Sequence, residues 1–150
     1  MQIAKDIMSR KVISMEMDDT TARDVAKIMN KNKIGSVIVT KDEKPHGIIT
    51  ERDLLSKVVA KDKRPSEMKM SEITTHPIIV VSPTTPIDEV AEKMLAEKIR
   101  HIIVSDGKQA NGVIAVTDFI KHLHSLLSEE SDYKKELYEG LFEDWEYWNS

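Results

Sequence analysis

The sequence predicts an α+β fold: two β-α-β-β-α units packed as a pseudo-twofold pair, followed by a C-terminal helix. Three observations carry that prediction. The first is an internal repeat, because adding 65 to a position in the first half finds its counterpart in the second without a gap. Val25-Ala26 falls on Val90-Ala91, Met29 on Met94, Lys33-Ile34 on Lys98-Ile99, Ile38-Val39 on Ile103-Val104, Gly47 on Gly112, Ile49 on Ile114 and Asp53 on Asp118. About a dozen identities over roughly 48 positions exceed chance, and most mismatches exchange like for like. The second is that both copies pass through the same patterns in the same order: a short apolar run, a helical stripe, then two β-rich runs. The third is segregation. Six of the seven aromatic residues (Tyr133, Tyr138, Phe142, Trp145, Tyr147 and Trp148) lie in the last 22 residues, with six Glu, two Asp and two Lys. That tail carries −6, which leaves +2 on residues 1–128 of a chain whose net charge is −4.

Each copy opens on a brief strand, Val12 to Met15 and Ile78 to Val81. An amphipathic helix follows, with Ala22, Val25, Ala26, Ile28 and Met29 on one stripe, mirrored by Ile87, Val90, Ala91, Met94 and Leu95. Thr20 or Thr21 caps the first helix, and Thr85 before Pro86 supplies an N-cap and N1 pair for the second. Ser36–Thr40 with Gly47–Thr50, and His101–Ser105 with Gly112–Val116, read as hairpins across the polar turns Lys41–His46 and Asp106–Asn111. A closing helix begins near Glu51 in one copy and Thr117 in the other. Lys61 to Ser71 is charged, carries Pro65 and reads as a linker. The expected divisions are therefore 1–60, 61–71, 72–127 and 128–150. A unit of about 50 residues buries too little surface alone, whereas two facing units share a core. Their packing creates two clefts, each lined by matching segments of both copies, and ligands favour such junctions.

Composition removes several function classes. With no cysteine, disulfides, thiolate zinc sites, iron–sulfur clusters and cysteine nucleophiles are excluded. No apolar run approaches the ~20 residues of a membrane helix, and the opening MQIAKDIMSRK lacks the apolar stretch of a secretory leader, so the expected compartment is the cytoplasm. A nearly neutral body with an acidic tail is a poor nucleic-acid binder. His46, His76, His101, His122 and His124 show no metal-ligand spacing with carboxylates, so no metal is expected. Neither a G-x-S-x-G elbow nor a Walker-type loop is present, and nothing in the spacing of Glu51, Asp53 and Glu72 calls for an acid–base pair. The eight methionines sit mostly at core spacing. No catalysis is expected.

The sharpest local signal is Gly47-Ile48-Ile49-Thr50-Glu51-Arg52-Asp53, a strand turning into a helix. Thr50 and Asp53 have capping-box spacing, which is a sufficient structural reason for both. The same geometry offers free amides to an anion, a hydroxyl to phosphate or ribose, and a carboxylate to two ribose hydroxyls. The two readings do not exclude each other. With the duplication and Lys-Ile-Arg-His-Ile-Ile-Val at Lys98–Val104, this turn resembles tandem cystathionine-β-synthase (CBS) domains, the Bateman module, over roughly residues 5–125.

That resemblance implies a pair of sites for adenosine-containing ligands (AMP, ADP, ATP or S-adenosylmethionine), an energy- or metabolite-sensing role, and dimers that form a flat disc of four units. Carried over residue by residue, it puts Thr50 and Asp53 at ribose and phosphate, Val12 and Ile13 beside the adenine, and Arg100 and His101 as the pair reaching the phosphates from the opposite copy. Arg52 and Lys121 are further candidates. The second site would use Ile78, Thr117, Asp118, Gly35 and Ser36. There Ala115 replaces the motif hydroxyl, Thr117 is displaced by two positions, and Gly35-Ser36 stands where the basic pair should be. The expectation is that this second site is the weaker. The chain is thus expected to be a homodimeric regulatory module with an adenine nucleotide as regulatory ligand, no cofactor, and an unidentified protein partner. The alternative is an interaction module with vestigial clefts. Tyr133, Leu137, Leu141, Trp145 and Trp148 follow helical spacing, so the tail is expected to be a helix, docked on its own disc or dimer or recognising another protein.

Overall fold

A computed structural model describes residues 2–128 together with Glu139 and Gly140. The elements run α1 (Ala4–Ile7), β1 (Ser14–Glu16), α2 (Ala22–Asn32), β2 (Ser36–Lys41), β3 (Lys44–Thr50), α3 (Glu51–Leu54), α4 (Met70–Ile73), β4 (Val80–Val81), α5 (Ile87–Glu97), β5 (His101–Ser105), β6 (Ala110–Ala115) and α6 (Val116–Ser128). A π-helical turn, Leu55–Val59, continues α3, and a 3₁₀ turn spans Pro65–Glu67. Two three-stranded sheets, β1-β2-β3 and β4-β5-β6, each pair a parallel first strand with an antiparallel hairpin. The expected α+β pair of units is the observed fold. Apart from Ser128, Glu139 and Gly140, the tail helix expected over 128–150 lies outside the described residues.

Element bounds differ in instructive ways. The opening strands start two residues later than expected, at Ser14 and Val80. The first hairpin turn is tighter than expected, because Asp42 and Glu43 both take positive φ (52° and 65°) and close a two-residue loop. Thr21 caps α2 by accepting from the Asp24 amide at 3.3 Å. In α5, Pro86 itself occupies the cap position, which leaves Thr85 one residue outside the helix. Its carbonyl serves another purpose, accepting the Ala4 amide at 2.7 Å.

That last bond belongs to an exchange between the copies. The segment leading into each copy completes the other copy's core. Ala4, Ile7 and Met8 pack with Val81, Val90, Met94, Ile102, Val104 and Ile114 of the second unit. Met70 and Ile73, both fully buried, pack with Ala22, Val25, Met29, Val37, Val39, Ile49 and Val58 of the first. The stretch 61–71 read as a linker thus reaches into a core, since Met70 and Ile73 sit at helical spacing on a short apolar face that needs burial. Next in the chain, Ser9 pairs with Val113 and Thr75 with Ile48, each through two backbone bonds of 2.9–3.0 Å. Gly47 and Gly112, equivalent under the repeat, make that approach possible. A Cβ on Gly47 would lie 2.7 Å from the Thr75 carbonyl oxygen, and one on Gly112 would lie 2.7 Å from that of Ser9. A third apolar cluster, Ile38, Ile103 and Val113 with Val12, Ile48, Ile78 and Val80, seals the seam between the units. Ile38 and Ile103 are repeat equivalents, so the seam lies on the pseudo-twofold axis.

Candidate functional site

Two cavities flank that seam. The smaller, about 480 Å³, is lined by Thr50, Arg52, Asp53, Thr75, Lys98, Arg100 and His101 among others. The larger, about 740 Å³, is lined by Lys11, Val12, Ile13, Lys33, Gly35, Ser36, Asp118 and Lys121 among others, and again by Arg100 and His101. Both volumes fall within the ~300–1,000 Å³ of small-molecule sites.

The expected residues therefore group differently from the sequence reading. Thr50, Arg52, Asp53, Arg100 and His101 do come together. Val12, Ile13 and Lys121, expected with them, line the larger cavity beside Thr117 and Asp118. The cause is the exchange of lead-in segments: Ser9 pairs with Val113, which delivers Val12 and Ile13 to the second copy's motif. Gly35, Ser36, Thr117 and Asp118 do meet in one cavity, and Thr117 lines it despite its displacement. Ile78 lines neither cavity and packs in the seam.

The two motif carboxylates are in different states. Asp53 is 7% exposed and fully engaged. Its Oδ2 accepts from the Thr50 amide (2.8 Å) and hydroxyl (3.0 Å), and its Oδ1 accepts from the Thr75 hydroxyl (2.7 Å). Lys57 Nζ sits 2.9 Å from the same Oδ1, and also donates to the Ile73 carbonyl and the Thr75 hydroxyl. The capping-box reading of Thr50 and Asp53 is thus realised in full. Asp118 is half-buried and accepts through Oδ2 from the Ala115 amide at 2.7 Å, its one hydrogen bond among the described residues. No hydroxyl stands at position 115, and position 122 holds His where Asp53 has Lys57. Burial pushes the Asp118 carboxyl above its ordinary range, against the Ala115 amide and the charges of Lys121 and His101, which favour ionisation.

His101 is pushed below its ordinary value by burial, with Arg100 adding to the effect while Glu51 and Asp118 oppose it. Its neutral form therefore dominates at pH 7. An unfolded chain takes up this proton near pH 6.5 and the folded chain resists, so folding stability is full above 6.5 and falls as pH drops toward the depressed value. Chemical denaturation at pH 7.5 and 5.5 should show lower stability at 5.5, with a smaller difference in His101→Gln. An unchanged difference would place the pH sensitivity elsewhere.

Sequence reasoning missed Lys11, Lys33, Lys57, Thr75 and Lys98. Three of these carried a signal. Lys33 and Lys98 are repeat equivalents, and both close their helices in the left-handed region, at φ 53° and 55°. A non-glycine residue there costs on the order of 1 kcal/mol, and each lysine borders one cavity. Lys57 stands four residues after Asp53, the spacing of a helical ion pair.

A family profile described as CBS domain matches residues 4–60 and 70–125. CBS domain-containing protein CBSX3, mitochondrial, of Arabidopsis thaliana is 31% identical over 108 residues, 69% of this chain and 52% of that protein. The hexameric CBS-CP12 protein from bloom-forming cyanobacteria superposes with a TM-score of 0.78 at 29% identity, covering 96% of this chain and 84% of that one. The CBS domain pair of protein MJ0100, solved in complex with 5′-methylthioadenosine and S-adenosyl-L-methionine, gives 0.71 at 28% identity, covering 81% of this chain and 94% of that one. The chain spans between a half and about three-fifths of the length of such curated relatives. Among the described residues no helix is long and apolar enough to cross a membrane.

Proposed function

Because the chain belongs to the CBS domain family, we propose that it is a regulatory module, not an enzyme, that binds an adenosyl ligand first in the larger cleft and signals occupancy to a protein partner. The observation that carries this reading is the state of Asp118. It is half-buried, it has one oxygen bonded to the Ala115 amide, and its other oxygen accepts from nothing among the described residues. A carboxylate so placed accepts two ribose hydroxyls through charge-assisted bonds. Val12 and Ile13 supply an apolar wall with backbone groups for a base, and Lys33, Arg100 and Lys121 supply positive charge for phosphates or ordered water. The adenosyl ligands held by the MJ0100 pair support the ligand class. This ranks the clefts in the opposite order to the motif reading, because Asp53 must surrender Lys57 and Thr75 before it can accept from a sugar. AMP, ADP, ATP and S-adenosylmethionine all fit the class. A cytoplasmic homodimer is part of the same proposal, and the exposed Leu55, Val59, Leu123 and Leu126 offer apolar surface for such contacts.

The test is thermal unfolding of the whole chain with adenosine, AMP, ATP, S-adenosylmethionine and 5′-methylthioadenosine. A ligand at ~100 Kd stabilises by about 2.7 kcal/mol, which is roughly 5–10 °C for a domain of this size. At least one adenosyl ligand is expected to give that shift, with guanosine and cytidine analogues giving none. No shift with any of them at millimolar concentration would contradict the reading.

A further inference from the structure

The two cavities share a wall. Glu51, Arg100 and His101 line both. The repeat explains how this wall is built. The Glu51 amide donates to the Gly35 carbonyl and the Val116 amide to the Arg100 carbonyl, each at 3.1 Å, and these two bonds are equivalents 65 residues apart. A symmetric pair of copies would therefore present the same groups to each cleft. Here the equivalents differ: Arg100-His101 stands opposite Gly35-Ser36, and Glu51 opposite Val116. Gly35 leaves the space that the His101 and Glu51 side chains fill, since a Cβ there would lie 3.1 Å from His101 Nε2 and 3.2 Å from Glu51 Oε1. One basic pair thus sits at the pseudo-twofold axis, within reach of both clefts.

We infer that the two clefts compete for this single basic pair, so that one chain holds one phosphorylated nucleoside tightly and two nucleosides only when at least one of them carries no phosphate. The inference rests on the adenosyl-binding reading above and adds the rule of occupancy. A phosphate monoester carries about −1.5 to −2 charges at pH 7. Arg100 and Glu51 offset each other on the shared wall. A first phosphate there takes Arg100 and draws a proton onto His101, so a second dianion meets the first with no cation left between them. Arg100 is exposed, as are the clefts' own cations, Lys98 and Arg52 on one side and Lys11, Lys33 and Lys121 on the other, so water screens them all; what sets Arg100 and His101 apart is that they line both clefts. The clefts' own cations weaken the competition without removing it. A neutral nucleoside meets no such field.

Calorimetric titration of the whole chain distinguishes the possibilities. Adenosine is expected to reach two equivalents per chain, one tight and one weaker. AMP is expected to reach one, with a second at least tenfold weaker than the second adenosine. Adenosine added to AMP-saturated protein should bind one further equivalent without displacing AMP. Two AMP molecules of equal affinity would overturn the inference, as would AMP-saturated protein that refuses adenosine. If neither ligand binds at all, the adenosyl-binding reading itself fails, and the inference with it.

Discussion

Ile73→Ala is expected to cost about 2–5 kcal/mol of folding stability, a large part of the ~5–15 kcal/mol of a domain this size. The sequence reading puts position 73 at the start of the second unit, just past the 61–71 linker. In the structure Ile73 is fully buried in the core of the first unit, against residues of α2 and β2 some 35–50 positions earlier. Removing three carbons there leaves a cavity in the core that Ile73 shares with Val25, Met29, Val37 and Val58, all of them buried. The loss is read as a lower urea midpoint at unchanged slope. A cost below about 1 kcal/mol would mean that α4 only rests on the first unit.

Asp118→Ala is expected to weaken adenosine binding by roughly ten- to a hundredfold. Hydrogen bonds to a charged group contribute about 1.5–3 kcal/mol, and each 1.4 kcal/mol is tenfold in Kd. Asp53→Ala has the opposite profile. It strands Lys57 and Thr50, both bonded to that carboxylate, so it lowers stability while leaving the tight adenosine site within about threefold. The two aspartates are equivalent in sequence and spend their lone pairs differently.

That contrast marks how far the sequence could be read. The repeat at an offset of 65 revealed two units, their order of elements and the clefts between them, because periodicity and duplication are written into the apolar positions themselves. The capping box at Thr50 and Asp53 was legible for the same reason, being local. The exchange of lead-in segments was not legible. Ala4–Met8 and Met70–Ile73 are short, and a short apolar stretch carries no mark of which core it joins. That one omission grouped Val12 and Ile13 with Asp53, whereas they line the cavity beside Asp118; Lys121 joins them there because it follows Asp118 by one turn of α6, and Ile78 lines neither cavity. The ranking of the clefts under the proposed function turns on an equally local difference. Ala115 looks like a loss when compared with Thr50, but the absent hydroxyl, with His122 at the place of Lys57, is what leaves the Asp118 carboxylate able to accept.

The most direct measurement is calorimetric titration of adenosine into the wild-type chain, Asp53→Ala and Asp118→Ala under one set of conditions. The account predicts that the tight site survives in Asp53→Ala and disappears in Asp118→Ala, with both variants folded by circular dichroism. Loss of the tight site in Asp53→Ala, with Asp118→Ala unaffected, would contradict it and return the ligand to the smaller cleft.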